Sequence, residues 1–198
     1  MRPLLRAFAL SALLSLCGMA CKGETPAPEQ AAPPAKTEPS PDTPNPLVAR
    51  HVTEGTTPEG TLRLFLEACV LAGSADSAQS TAALGAIGAL AAPLRGDADW
   101  RKRHSNGTFA ERLKTHTWVF RSYAPGATPE NGYAAEPGFT PEIISKIEES
   151  DGVKLMVRSG GADNPRPVRL KPLEVDGQRR WFVQEWSSLY LEVRQPQK

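Results

Sequence analysis

The sequence predicts an α+β domain in which N-terminal helices cover one face of an antiparallel sheet. A stretch from residue 56 to 73 combines a helix start, helical apolar spacing and a glycine stop, and a second, from Ser77 to Ala91, is stopped by Pro93. Two Asp-Gly pairs, Asp151-Gly152 and Asp176-Gly177, lie between runs rich in β-branched and aromatic residues, a strong hairpin signal. Helices precede strands without alternating with them, which points to segregated layers and away from a parallel βαβ sheet. The folded part, 47–198, is about 150 residues, enough for one domain with its own core. No internal repeat is visible.

Taken in order, Thr56-Thr57-Pro58-Glu59 reads as the first helix start. Thr56 caps with Glu59 three residues on, and Pro58 fits the first turn, where its missing N–H costs nothing. Leu62, Phe65, Leu66, Cys69 and Val70 set a helical period, and Gly73 ends it. A second helix runs from Ser77 to Ala91, stopped by Pro93. It carries no charge between Asp76 and Arg95, so a membrane-dipping element is an alternative. Its polar residues and short apolar part favour a core helix packed closely through Gly85 and Gly88. Asp99–His104 forms a short turn, and Thr108-Phe109-Ala110-Glu111 starts a further helix. From His116 the period changes to two, with Trp118, Phe120 and Ser122 on one side, predicting a strand. Gly126–Pro141 is a loop by its Pro, Gly and Asn content. Ile143–Glu149 pairs with Val153–Arg158, and Val168–Val175 with Arg180–Trp186. Pro172 marks an edge or a bulge. Leu189–Arg194 alternates as a last strand.

The Thr-Pro-Glu-Gly start with Leu62, Phe65, Leu66 and Cys69 resembles the opening helix of the cone-shaped superfamily of nuclear transport factor two and ketosteroid isomerase. Arg166-Pro-Val-Arg-Leu170, the Asp176-Gly177 turn and Trp181-Phe-Val183 are similar to its closing strands. The resemblance covers about 60–198 and implies a curved sheet around a pocket. The isomerase members' buried acid and tyrosine have no matching positions here, so no catalytic residue is carried over.

Ahead of the domain, Arg2 and Arg6 precede an apolar run, Ala7–Leu16, and Gly18-Met19-Ala20-Cys21 closes it. A run of ten apolar and small residues is too short to span a hydrocarbon core of about 30 Å, so 1–20 reads as a cleaved export signal. The closing cysteine makes it resemble a bacterial lipoprotein signal, with Cys21 as the lipid attachment site. Gly18 stands where that box usually has Leu, and Met19 is larger than usual. An ordinary signal-peptidase cut after Ala20 is the alternative; both routes start the mature chain at Cys21. Cys17 competes poorly because bulky Leu16 precedes it. Residues 21–46 read as a lipid-attached Pro/Ala-rich tether. Lys22–Pro46 holds eight prolines, and alanine is its one other apolar residue. Such a segment buries too little apolar surface to offset ordering and reaches at most about 78 Å when extended.

Without Arg2 and Arg6, Lys plus Arg falls from 23 to 21 against 22 acidic residues. A near-neutral chain excludes nucleic acid as a bulk electrostatic partner. Cys69 has no partner in the mature domain and reads as a buried structural thiol. His51, His104 and His116 have no zinc spacing, and no nucleophile elbow, phosphate loop or cofactor motif is present. His51 falls in a flexible leader by this reading. Two clusters remain. Arg95, Arg101, Lys102, Arg103 and Arg112 could meet an anionic partner such as phospholipid heads, although Asp97, Asp99 and Glu111 would balance them as a solvated face. Trp118, Phe120, Trp181 and Trp186 could line a pocket or fill the core.

These observations predict a membrane-tethered cell-envelope lipoprotein. It would be held to the bilayer through acyl chains and act as a non-enzymatic binding or interaction module for an envelope protein or a small apolar ligand. A small-molecule enzyme of the isomerase-like superfamily and an envelope assembly scaffold are the alternatives. Lys22 after the cysteine leans toward the outer membrane.

Overall fold

The structure is a computed structural model that describes residues 45–91, 93 and 108–197, all within the unit Glu38–Lys198. The expected signal (1–20), Cys21, tether residues 21–44, the Asp99–His104 turn and Arg95, Arg101, Lys102 and Arg103 lie outside the described residues.

Helix α1 is Pro46–Glu54, with the Asn45 side chain accepting from the Leu47 N–H at 3.0 Å. Proline at the first helical position and an asparagine cap explain why the helix starts here, at the end of the proline-rich run. Arg50 reaches Glu54 and Glu67, each at 2.8 Å, and Arg63 also bonds Glu54, tying α1 to the next helix. His51 therefore sits on a helix and is 4 % exposed, not in a flexible leader. Its Nε2 lies 2.7 Å from the Trp181 carbonyl and its ring packs edge-on against Phe182. The neutral ring donates this bond.

Burial pushes the His51 pKa below its ordinary value, with nearby Arg180 acting the same way and the Trp181 carbonyl opposing. Below about pH 6.5 the unfolded chain binds a proton that the folded chain resists. Stability should therefore fall as pH drops from about 7 to 5. Urea titrations across that range should show the slope, and His51→Gln should flatten it. An unchanged slope in the variant would exclude His51 as its source.

Helix α2, Pro58–Ala72, is capped by Thr57, whose hydroxyl accepts from the Gly60 N–H at 3.1 Å, one residue later than expected. Leu64 is as buried as the predicted stripe of Leu62, Phe65, Leu66 and Cys69. Apart from the charged side carrying Glu59, Arg63 and Glu67, α2 is enclosed by the core, and it meets α1, α3 and the sheet. Gly73 ends it. Helix α3 spans Ser77–Ala91, as the sequence predicts. Asp76 caps it by accepting from Ala78 and Gln79, and Ser80 donates to the Ala72 carbonyl at 2.7 Å. Ala83, Ala86, Ile87 and Leu90 are buried, making it a core helix. Gly85 is exposed, and an added Cβ would meet only Asn45 Nδ2, at 4.0 Å, so it is not a close-packing position. Among the described residues no helix is long and apolar enough to cross a membrane.

Helix α4 is Thr108–Thr115, and α5 is the single turn Trp118–Arg121. The strand expected from His116 onward is thus a helical turn. Ser122 explains it: its N–H bonds the Trp118 carbonyl at 2.9 Å and its hydroxyl donates to the Val119 carbonyl at 2.6 Å. A serine that closes the turn locally competes with strand pairing.

Strands β1 (Ile143–Glu149), β2 (Gly152–Val157), β3 (Arg166–Val175) and β4 (Gln178–Glu185) form an antiparallel meander in chain order. Val153, Leu155, Val157, Val168, Leu170 and Val183 are buried in the core with the helices. Arg169 pairs with Glu149 at 3.4 Å and Glu185 at 3.2 Å on the opposite, open face, an arrangement antiparallel sheets allow. The second hairpin turns at Asp176-Gly177, both at positive φ (52° and 71°), as a type I′ turn requires. The first differs from expectation: Ser150-Asp151 makes the turn and Gly152 belongs to β2, where the Leu170 carbonyl leaves no room for a side chain. Pro172 lies where β3 has passed the end of β2, beside a register shift at Arg169/Leu170, so no ladder bond needs its N–H. The outer edge of β4 is covered: Trp181 N–H bonds the Gly55 carbonyl at 2.7 Å, and its carbonyl receives His51 and Thr61.

The last predicted strand is absent. Ser187–Tyr190 is a 3₁₀ turn. Ser188 donates to the Pro167 carbonyl at 2.8 Å, and buried Tyr123 donates to the Leu189 carbonyl at 2.6 Å. Side chains therefore take up polar groups that a strand would pair, and Glu192, at φ 53°, breaks the alternation.

Candidate functional site

Helices α4 and α5 and the segment after the 3₁₀ turn enclose a cleft of about 390 Å³, within the size range of small-ligand sites. Phe109 and Arg112 on α4 and His116 just after it follow at spacings of three and four, and the His116 N–H still bonds the Arg112 carbonyl at 2.8 Å, which keeps the three on one face. Trp118, Val119 and Phe120 supply the α5 wall, and Tyr190 to Val193 close the third side. Phe109 lies 6.3 Å from the Tyr190 ring and 6.4 Å from that of Phe120, joining the cleft floor to the core.

The third wall is fixed from outside the cleft. Arg194 N–H bonds the Gly161 carbonyl at 2.9 Å, Tyr133 donates to the Arg194 carbonyl at 2.7 Å, and Gln197 N–H reaches the Pro129 carbonyl at 2.8 Å. Glu192 holds a left-handed conformation in this wall although it is not glycine; such conformations cost about 1–3 kcal/mol and gather at functional sites.

The polar groups are few. Arg112 places its guanidinium 5.5 Å from the Tyr190 ring centre, a cation–π contact. Among the described residues no carboxylate lies within ion-pair distance of it. Glu192, by contrast, is paired with Arg166 at 3.1 Å. His116 bonds the Thr115 hydroxyl at 2.8 Å and meets the Trp118 ring edge-on at 4.9 Å. The Trp118 indole N–H is buried and has no hydrogen-bond partner among the described residues.

Of the residues singled out in the sequence, Arg112, Trp118 and Phe120 come together here. Trp186 instead packs edge-on against Phe65 at 5.3 Å and is 4 % exposed. Trp181 is on β4 beneath the Arg179 guanidinium, outside the cleft. Cys69 is fully enclosed and its thiol is pushed well up by burial, which suits a structural role and not a nucleophile. Among the described residues no group of three or more side chains could hold a metal ion. Sequence reasoning missed His116, Tyr190 and Glu192 as neighbours. The spacing of Phe109, Arg112 and His116 could have shown a shared helix face, but nothing local announces that residues 190–193 fold back over it.

An α+β domain with a partly aromatic cleft between α4, α5 and the segment after the sheet is the class defined by this geometry. The chain belongs to the family described as a domain of unknown function (DUF6935), matched over residues 40–197. No curated protein and no solved structure matches it.

Proposed function

We propose that the protein is an exported cell-envelope lipoprotein, anchored to a bilayer through acyl chains on Cys21. In this reading it works as a non-enzymatic binding module whose working surface is the α4–α5 cleft. The observation that carries the binding reading is the cleft itself, about 390 Å³ and lined by aromatic and aliphatic side chains together with Arg112, His116, Glu192 and Gln195. Export rests on the charged, apolar and small-residue layout of 1–21, and the tether on the prolines that follow. The enzyme reading that accompanied the cone-shaped resemblance calls for an acid buried in an apolar pocket. Glu192, the carboxylate lining this cleft, has a side chain 82 % exposed and paired with Arg166, which favours binding over catalysis.

Intact and native mass spectrometry of the protein from bacterial membranes tests both parts. The expected result is a chain beginning at acylated Cys21 that carries a small molecule in fixed stoichiometry, with Cys21→Ser moving it to the soluble fraction. An unmodified Cys21 in a soluble chain would overturn the anchor. One observation favours the scaffold reading as second choice: β1 is an edge strand, with Ile144 and Ile147 41 % and 43 % exposed. Crosslinking from Ile147 to a single envelope protein would favour it.

A further inference from the structure

We infer that the α4–α5 cleft takes a ligand with an apolar body and one anionic group, and that Arg112 is the residue that receives the anion. The inference rests on the cleft being a binding site and adds the chemistry of its occupant. Two observations carry it. First, the body: Phe109, Trp118, Val119 and Tyr190 present rings and one branched side chain, so the cleft favours a flat or chain-like apolar group. Second, the charge: the cleft holds one acid and one arginine, and their situations differ. Glu192 is already neutralised by Arg166 at 3.1 Å. Arg112 has no carboxylate partner among the described residues and is held over Tyr190, so its guanidinium can still receive an anion. An anionic ligand displaces no ion pair at Arg112 among the described residues, whereas a cationic one would share Glu192 with Arg166.

The test compares two dyes that differ by one group: 8-anilinonaphthalene-1-sulfonate and N-phenyl-1-naphthylamine, which has the same rings and no sulfonate. Fluorescence titration uses the full chain carrying Cys21→Ser, so that no detergent is present. The sulfonate should bind one site per chain, and Arg112→Gln should weaken it about tenfold while leaving the neutral dye within about twofold. Arg112→Lys, which keeps the charge, should recover most of the loss. Displacement of the sulfonate by 2-naphthoate but not dodecanoate would assign the natural body to an aromatic acid, and the reverse to a fatty acyl chain; either supports the anion contact. Equal binding of both dyes, unaffected by Arg112→Gln, would overturn the inference and leave the cleft as a neutral site. Failure of both dyes to bind would remove the binding reading itself.

Discussion

Phe65→Ala should lower the unfolding free energy by about 3–5 kcal/mol, the largest loss expected from any one side chain in α2. Phe65 is fully buried at the centre of the helix that the other described α-helices and β4 pack against. Its ring meets Trp186 edge-on at 5.3 Å, and Trp186 in turn meets Phe109 at 6.3 Å. The truncation removes apolar area and leaves a cavity between helix and sheet that neighbours on two layers cannot both fill. Against a typical total of about 5–15 kcal/mol, that loss places the variant near its unfolding threshold at 37 °C. Because Phe109 forms the cleft floor, the damage should reach the site as well. Urea unfolding measures the first effect and dye affinity the second. A loss under about 1 kcal/mol would mean that the α2–sheet packing described here is wrong. Phe65→Leu, which refills most of the space, should recover much of the stability.

The helices and hairpins were legible because their signals are local. Ser77 to Ala91 is stopped by Pro93, and the structure places the helix there. Asp176-Gly177 needs only two residues that accept positive φ. The sequence misled where two local patterns compete. Trp118, Phe120 and Ser122 alternate as a strand would, but three positions also fit one helical turn, and the decision came from a serine bonding its own backbone. Leu189–Arg194 alternates too, yet Tyr123, Ser188 and the φ of Glu192 take it out of the sheet. Those are contacts between residues more than twenty positions apart, which no window along the chain can see. The cleft had the same fate. Its α4 face was readable as spacing, while its third wall depends on Gly161, Pro129 and Tyr133 holding a segment from the far end of the sequence. His51 was misjudged for a related reason: its partner is the Trp181 carbonyl, 130 residues away.

Gly160→Ala should cost about 3 kcal/mol and weaken binding in the cleft at the same time, although residue 160 does not line it. A Cβ there would fall inside the Ala127 carbonyl, and both atoms are fixed by backbone, so no flexible side chain can yield. Overpacking of this kind costs about 1–3 kcal/mol, and the hydrogen bonds around it add to that. Gly160 N–H bonds the Ser122 carbonyl at 2.8 Å, the Ser122 and Ser159 hydroxyls meet at 2.7 Å, and Ser159 also accepts from Gly161 N–H at 3.1 Å. Ser122 closes α5, which is one wall of the cleft. Gly161 accepts from Arg194, which holds another. The β2–β3 connection is thus the knot that sets the distance between Trp118 and the Tyr190–Val193 wall. Shifting it should loosen both walls together, so sulfonate and neutral dye should lose affinity in parallel, unlike the selective loss expected for Arg112→Gln. Thermal unfolding and the two dye titrations on one variant separate these effects. A Gly160→Ala protein as stable as its parent, with both affinities unchanged, would show that the cleft does not depend on this connection.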